Sequence, residues 1–138
     1  MDVFLPNSTL SPDCPYPSYF EFQDVVLMPA ESMSAFIDRY LGSPRPAALW
    51  DHPTVSPIKA KNLSRIASTL IITAELDVLR DEGEKYGELL KNQGVEVQII
   101  RVNGVGHLFM LLDAVLEGGK LHNREAIKAI GRSLGVVA

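Results

Sequence analysis

Residues 69–74 read Thr-Leu-Ile-Ile-Thr-Ala, apolar or β-branched without interruption. A short run of this kind, with no alternation, fits a strand covered on both faces, as in a parallel sheet. A parallel strand needs a neighbour reached by a crossover, usually a helix. The next residues supply one. From about 81 to 92 the chain is polar, with Leu79, Tyr86, Leu89 and Leu90 as the face to be buried. Asp81 and Glu84 stand at capping-box spacing at its start, and acids there suit the helix dipole. Gly94 marks its end. Residues 95–102 then set Val95, Val97 and Ile99 against Glu96 and Gln98, the alternation of a strand with one face less covered, as at a sheet edge. Strand, helix and strand at this spacing predict a βαβ unit with a right-handed crossover.

The chain before this unit is of a different kind. All nine prolines lie between Pro6 and Pro57, and nine of the ten glycines lie after Pro57. Proline fixes φ and removes a backbone donor, so residues 1–68 are expected to be a largely irregular connector. Residues 1–22 read as loop, with Val3-Phe4-Leu5 as the stub of a strand. One short helix is expected over 32–41, where Met33, Phe36, Ile37 and Tyr40 form a stripe and Gly42 stops it. Residues 42–68 are too long for a structureless loop, so their apolar residues are expected to pack. Beyond the second strand, an apolar helix is expected over 108–117, stopped by Gly118-Gly119. A last helix is expected over 124–134, capped by Asn123, with Ile127, Ile130 and Leu134 as its buried stripe. At 138 residues this is one domain with one core.

Several function classes fall away. The net charge is −4 with no basic cluster, so nucleic acid and anionic membrane are not expected partners. The longest apolar run, 108–112, is far too short to span a bilayer. The first six residues lack the basic start and apolar run of a signal peptide, and a cytoplasmic location is expected. Cys14 is the sole cysteine, which excludes an intrachain disulfide and a cysteine-based metal site; it is read as unreactive. His52, His107 and His122 have no ligand spacing, so no metal is expected. Trp50 reads as a packing anchor.

Asp77 and His107 are the pair with chemical potential. Each follows a strand of the βαβ unit, so both should emerge on the carboxyl rim of the sheet, where open α/β sheets place their sites. Taken singly, Asp77 fits a helix cap and His107 a surface turn. Together they fit the orienter and base of a nucleophile–base–orienter triad. Ser133 satisfies Gly-x-Ser-x-Gly within Gly131-Arg-Ser-Leu-Gly135. A nucleophile elbow needs a strand before its serine and a helix after it. Ser133 has a helix before it and follows the histidine in the chain, so it reads as a helix end and a decoy.

Ala74-Glu-Leu-Asp-Val-Leu-Arg-Asp-Glu-Gly-Glu84 resembles the acid block of the hormone-sensitive-lipase-like α/β-hydrolases, usually Glu-x-Asp-Pro-Leu-Arg-Asp-Glu. Gly104-Val-Gly-His-Leu-Phe109 resembles their histidine block, usually Gly-x-x-His-Gly-Phe. Ser18-Tyr-Phe-Glu-Phe22, the helix with Met33 and Phe36, and Val55-Ser-Pro57 resemble the run before the acid, in the same order. Two residues depart: Val78 stands for proline and Leu108 for glycine. The family's Gly-Asp-Ser-Ala-Gly nucleophile motif and His-Gly-Gly oxyanion loop do not occur in the sequence.

The resemblance implies the C-terminal βαβ-α portion of an α/β-hydrolase parallel sheet. It implies that Asp77 orients His107 and that His107 is the general base and acid toward a serine elsewhere. It implies a small-molecule ester as substrate if an N-terminal half completes the site, and no cofactor. The chain alone is then expected to be inactive. The alternative is a non-catalytic pseudo-enzyme or assembly module, pairing its exposed sheet edge with another chain, for instance a second copy.

Overall fold

The computed structural model of the chain describes residues 14–136; the Val3-Phe4-Leu5 stub lies outside these residues. Two short helices come first, α1 at Ser18–Glu21 and α2 at Ala30–Leu41, followed by 3₁₀ turns at Ala47–Leu49 and Pro57–Lys59. Then come β1 at Thr69–Leu76, α3 at Arg80–Asn92 and β2 at Val97–Gly106. A 3₁₀ turn at Phe109–Leu112 leads to α4 at Glu117–Ser133. β1 and β2 pair in parallel, and α3 is the crossover, so the expected βαβ unit is present.

The crossover packs on the sheet by small residues, not by the large ones. A Cβ on Gly87 would lie 2.7 Å from Ile99 Cδ1 and 2.9 Å from Ile71 Cδ1, and one on Gly83 would lie 3.3 Å from Thr73 Cγ2. Gly83, Gly87 and Leu90 recur at four- and three-residue steps, which makes one helix face. Leu90 is fully buried with Leu63 and Val95, while Tyr86 and Leu89 are half-buried at the edge of that cluster. The capping box does not form. Asp81 accepts the Ser18 N–H, and Glu84 accepts from the Thr73 hydroxyl and from Arg101 Nε, at 2.9 and 2.8 Å. Both carboxylates tie α3 to other elements instead of capping it.

The connector is anchored by a charge. Arg45 is buried; its Nε donates to Asp38 Oδ1 at 2.6 Å and its Nη2 to the Ser34 carbonyl and hydroxyl of α2. Through Nε and Nη2 this side chain holds the chain after α2 against the helix it has just left, although its buried Nη1 has no partner among the described residues. α2 ends at Gly42 as expected, with φ +90°. Its stripe is narrower than expected: Met33 and Ile37 are buried, while Phe36 and Tyr40 are exposed. α1 falls in a stretch expected to be loop.

The C-terminal helices differ from expectation most. Residues 108–116 form no α-helix, and Gly118-Gly119 lie in the first turn of α4 rather than stopping a helix before it. The cause is close packing. A Cβ on Gly119 would lie 2.7 Å from Asp113 Cα and 2.8 Å from its N, and one on Gly118 would lie 2.9 Å from Val102 Cγ1. Without those side chains, α4 can start against the turn and the end of β2. Phe109 packs there with Ala74 and Val102. Asn123 is inside α4, where its Nδ2 donates to Asp113 Oδ2 at 2.8 Å. The stripe Ile127, Ile130 and Leu134 is exposed. β1 is half-buried along most of its length, with only Thr73 and Ala74 buried, because β2 is its only strand neighbour among the described residues.

Replacing Gly119 with alanine drives a methyl into the Asp113 backbone, which cannot swing aside. Gly119→Ala is expected to lower stability by about 2–3 kcal/mol, read from the urea midpoint. Gly83→Ala, facing one methyl in a helix interior, is expected to stay within about 1 kcal/mol of the parent.

Candidate active site

The pairing of the two strands changes step where the site begins. Thr69 stands opposite Val97 and the register runs evenly to Ala74 opposite Val102; the next pair is Leu76 with Gly106. Two steps along β1 therefore match four along β2, and residues 103–105 bulge opposite Glu75. An unbroken register would set Leu76 against Gly104 and Asp77 against Val105. The bulge instead brings Gly106 level with Leu76. Asp77 and His107, one residue further on each strand, then leave the rim side by side. Bulges re-aim side chains in this way. Gly104, at φ +72°, takes the left-handed conformation that favours glycine.

Asp77 is buried, and its two oxygens do separate work. Oδ1 accepts the Leu79 N–H at 3.0 Å, which makes the turn into α3. Oδ2 lies 2.8 Å from His107 Nδ1. An ionised carboxylate only accepts hydrogen bonds, so Nδ1 carries the proton and donates it. In the neutral ring Nε2 then keeps its lone pair, as a proton acceptor must. The acid–imidazole pair is present, while Asp77 braces the turn ahead of α3 without capping it: the N-cap is Leu79, with no side-chain cap bond.

The His107 side chain is 28% exposed. The Asp77 hydrogen bond holds its pKa above the usual imidazole value of 6.5; burial opposes that rise and the Asp77 charge adds to it. Leu108, where the resembled block has glycine, sits at φ −91° and ψ 15°. An ordinary L-residue adopts this backbone, so the substitution needs no rearrangement of the turn.

The acid turn is clamped from the N-terminal segment. Ser18 Oγ donates to the Val78 carbonyl at 2.7 Å, the Ser18 N–H donates to Asp81 Oδ2 at 2.8 Å, and the Asp81 N–H returns to Ser18 Oγ at 3.2 Å. Val78, in the place of the usual proline, is fully buried among Cys14, Tyr16, Tyr19, Ala30 and Met33. The Tyr19 hydroxyl donates to the buried Glu82 at 3.1 Å; burial first, and then the Glu82 charge, push the phenol far above its usual range. Arg80 Nη1 donates to the Glu75 carbonyl, Nη2 to Glu21 and Nε to Asp81, while its guanidinium lies over the Phe22 ring. Ser18 and Arg80 were not foreseen as part of the site. Their partners in α1 and the acid turn are about sixty residues apart in sequence, and no local pattern reports such a contact.

The other candidates lie elsewhere. Ser133 is the last residue of α4 and its hydroxyl donates to the Ile130 carbonyl at 2.8 Å. His52 pairs with Thr54 on the surface, and His122 meets the edge of Phe109. Cys14 is buried. Trp50 is half-buried. Among the described residues no group of three His, Cys, Asp or Glu could hold a metal, and no helix is long and apolar enough to cross a membrane.

The βαβ unit thus sets an aspartate and a histidine together on one rim of its sheet. The chain belongs to the α/β hydrolase fold family, of the hormone-sensitive-lipase-like esterase and lipase kind, which its residues 3–111 match. It is 35% identical over 106 residues to lipase 2 of a Moraxella species, a match that covers 75% of this chain and 23% of that protein. It is 34% identical over 105 residues to an esterase of Gibberella moniliformis, covering 75% of this chain and 32% of that one. Among solved structures, the hyperthermophilic esterase from the archaeon Pyrobaculum calidifontis superposes with a TM-score of 0.70 at 37% identity, over 96% of this chain and 41% of that one. The chain thus spans about a quarter to a third of the length of these two curated relatives.

The raised His107 pKa makes folding depend on pH. A histidine whose folded pKa lies above its unfolded value adds stability that is complete below the unfolded pKa and is lost as pH rises through the folded one. The parent chain should therefore lose stability, relative to an Asp77→Asn variant measured in parallel, as pH climbs from below 6.5 into the alkaline range. Urea midpoints across that range test this; parallel curves for the two proteins would contradict it.

Proposed function

We propose that these residues supply the acid and the base of a serine carboxylic-ester hydrolase acting on small-molecule esters. Asp77 orients His107 and stabilises its charged form. His107 Nε2 takes the proton of a serine hydroxyl as that oxygen attacks the ester carbonyl, then returns it to the leaving alcohol. The nucleophile in this reading is a serine outside these 138 residues, among which the Gly-Asp-Ser-Ala-Gly motif does not occur. Ser133 has no part in this reading. The observation that carries it is the 2.8 Å bond between Asp77 Oδ2 and His107 Nδ1, on the sheet rim of a chain whose relatives include a lipase and esterases.

One observation favours a second reading, assembly without catalysis. Among the described residues the outer edge of β1 has no strand partner, and unpaired edges of apolar strands are templates for pairing.

Hydrolysis of a short-chain aryl ester separates the two. The 138 residues alone are expected to give no turnover by this route. Supplied with a Gly-x-Ser-x-Gly-bearing N-terminal segment of an esterase relative, they should give turnover that His107→Ala lowers by about 10⁴–10⁶ and Ser133→Ala leaves unchanged. Turnover by the chain alone that Ser133→Ala abolishes would overturn the assignment. A stable homo-oligomer by light scattering, with no turnover in either setting, would favour assembly.

A further inference from the structure

The bulge in β2 delivers His107 to Asp77, and it needs something to hold it. Residues 103–105 have no register partner on β1, so the even ladder does not fix their step. One of them has a side-chain partner: the Gly104 N–H donates to Glu75 Oε2 at 2.7 Å. A carboxylate acceptor makes this a charge-assisted bond, stronger than one between neutral groups. Glu75 is the residue skipped by the register, opposite the bulge. Its own carbonyl accepts from Arg80 Nη1 at 3.1 Å, and that guanidinium is fixed by Glu21 and Asp81. The bulge is therefore tied to a point that is itself tied down.

The spacing shows what the tie accomplishes. Glu75 and Asp77 are two residues apart on one strand path, and their partners Gly104 and His107 are three apart on the other. Two carboxylates, Glu75 near the end of β1 and Asp77 just past it, grip the facing path at either end of a segment one residue longer than the pairing needs. Only Val105 and Gly106 lie between the grips. A release at Gly104 lets that extra length redistribute, and the residue beside Asp77 moves with it.

We infer that Glu75 is a positioning residue that holds the β2 bulge through the Gly104 N–H and so keeps His107 in hydrogen-bond reach of Asp77. It acts through the backbone and touches no reacting atom. The inference rests on the reading of Asp77 and His107 as a functional pair, and it is tested without any hydrolysis. Absence of ester turnover when the serine-bearing segment is supplied would thus sink the proposed function and leave this untouched, while failure here would leave the pair standing.

Two mild substitutions separate reach from charge. Glu75→Gln keeps an acceptor oxygen at full length and loses the charge. Glu75→Asp keeps the charge and is one methylene too short. The readouts, by NMR on the 138-residue chain, are the titration midpoint of the His107 ring and the exchange rate of the Gly104 amide. Glu75→Asp should lower the midpoint by at least about half a pH unit and speed exchange about three- to tenfold. Glu75→Gln, which keeps the acceptor and loses only the charge assistance, should keep the midpoint close to the parent and speed exchange less than Glu75→Asp does. A midpoint unchanged in Glu75→Asp overturns the inference. So does a midpoint that falls in Glu75→Gln as far as in Glu75→Asp, since the carboxylate would then act through its charge.

Discussion

Everything at this site depends on two strands keeping different step. Below the rim, β1 and β2 pair one residue to one, and this even ladder lets α3 lie flat on them through Gly83 and Gly87. At the rim the ladder gains two residues on one side. Regular pairing builds the platform, and the irregularity makes the acid–imidazole pair. A uniform register would put Val105 beside Asp77 and leave His107 two residues beyond it. The apolar packing of Val78 and the hydrogen bonds of Ser18 and Arg80 then fix the acid side, so the bond between Asp77 and His107 joins two separately braced ends.

The bracing of the acid side comes from far away in sequence. Ser18 and Glu21 belong to a four-residue helix between prolines, too short to be stable alone, and their partners are in the acid turn. The proline-rich part of the chain is therefore more than a connector. It closes over the turn that carries Asp77, buries Val78 and meets α3 through Tyr19 and Glu82. Arg45 serves the same region at one remove by tying the chain after α2 back to that helix. In a chain that spans only part of its relatives' length, these contacts give the acid turn neighbours from its own residues.

Local pattern carried the βαβ unit because each of its signals acts within a few residues: the uninterrupted run at 69–74, the polar helix ending near Gly94, and the alternation from Val95. Asp77 and His107 followed from strand order alone. What sequence did not carry was set by distance or by space. The face of α3 that meets the sheet is made by the absence of side chains at Gly83 and Gly87, which a count of apolar residues cannot register. Gly118 and Gly119 read as a stop by propensity, whereas in the structure they are the gap that lets α4 begin against Asp113 and Val102. The stripe of Ile127, Ile130 and Leu134 has the right period for burial and is exposed; periodicity tells which face is apolar, not what covers it. Asp81 and Glu84 have capping spacing, and partners in α1 and β2 claimed both.

Among the described residues the apolar face of α4 is exposed and the outer edge of β1 has no strand partner, while Asp77 and His107 are in contact on the rim. That contact makes a definite claim about one proton. Measuring the ¹⁵N shifts of the His107 ring above its titration midpoint tests it most directly. The predicted result is a single neutral tautomer with the proton on Nδ1 and an unprotonated Nε2. An Nε2-protonated ring, or the averaged shifts of a free imidazole, would contradict the account.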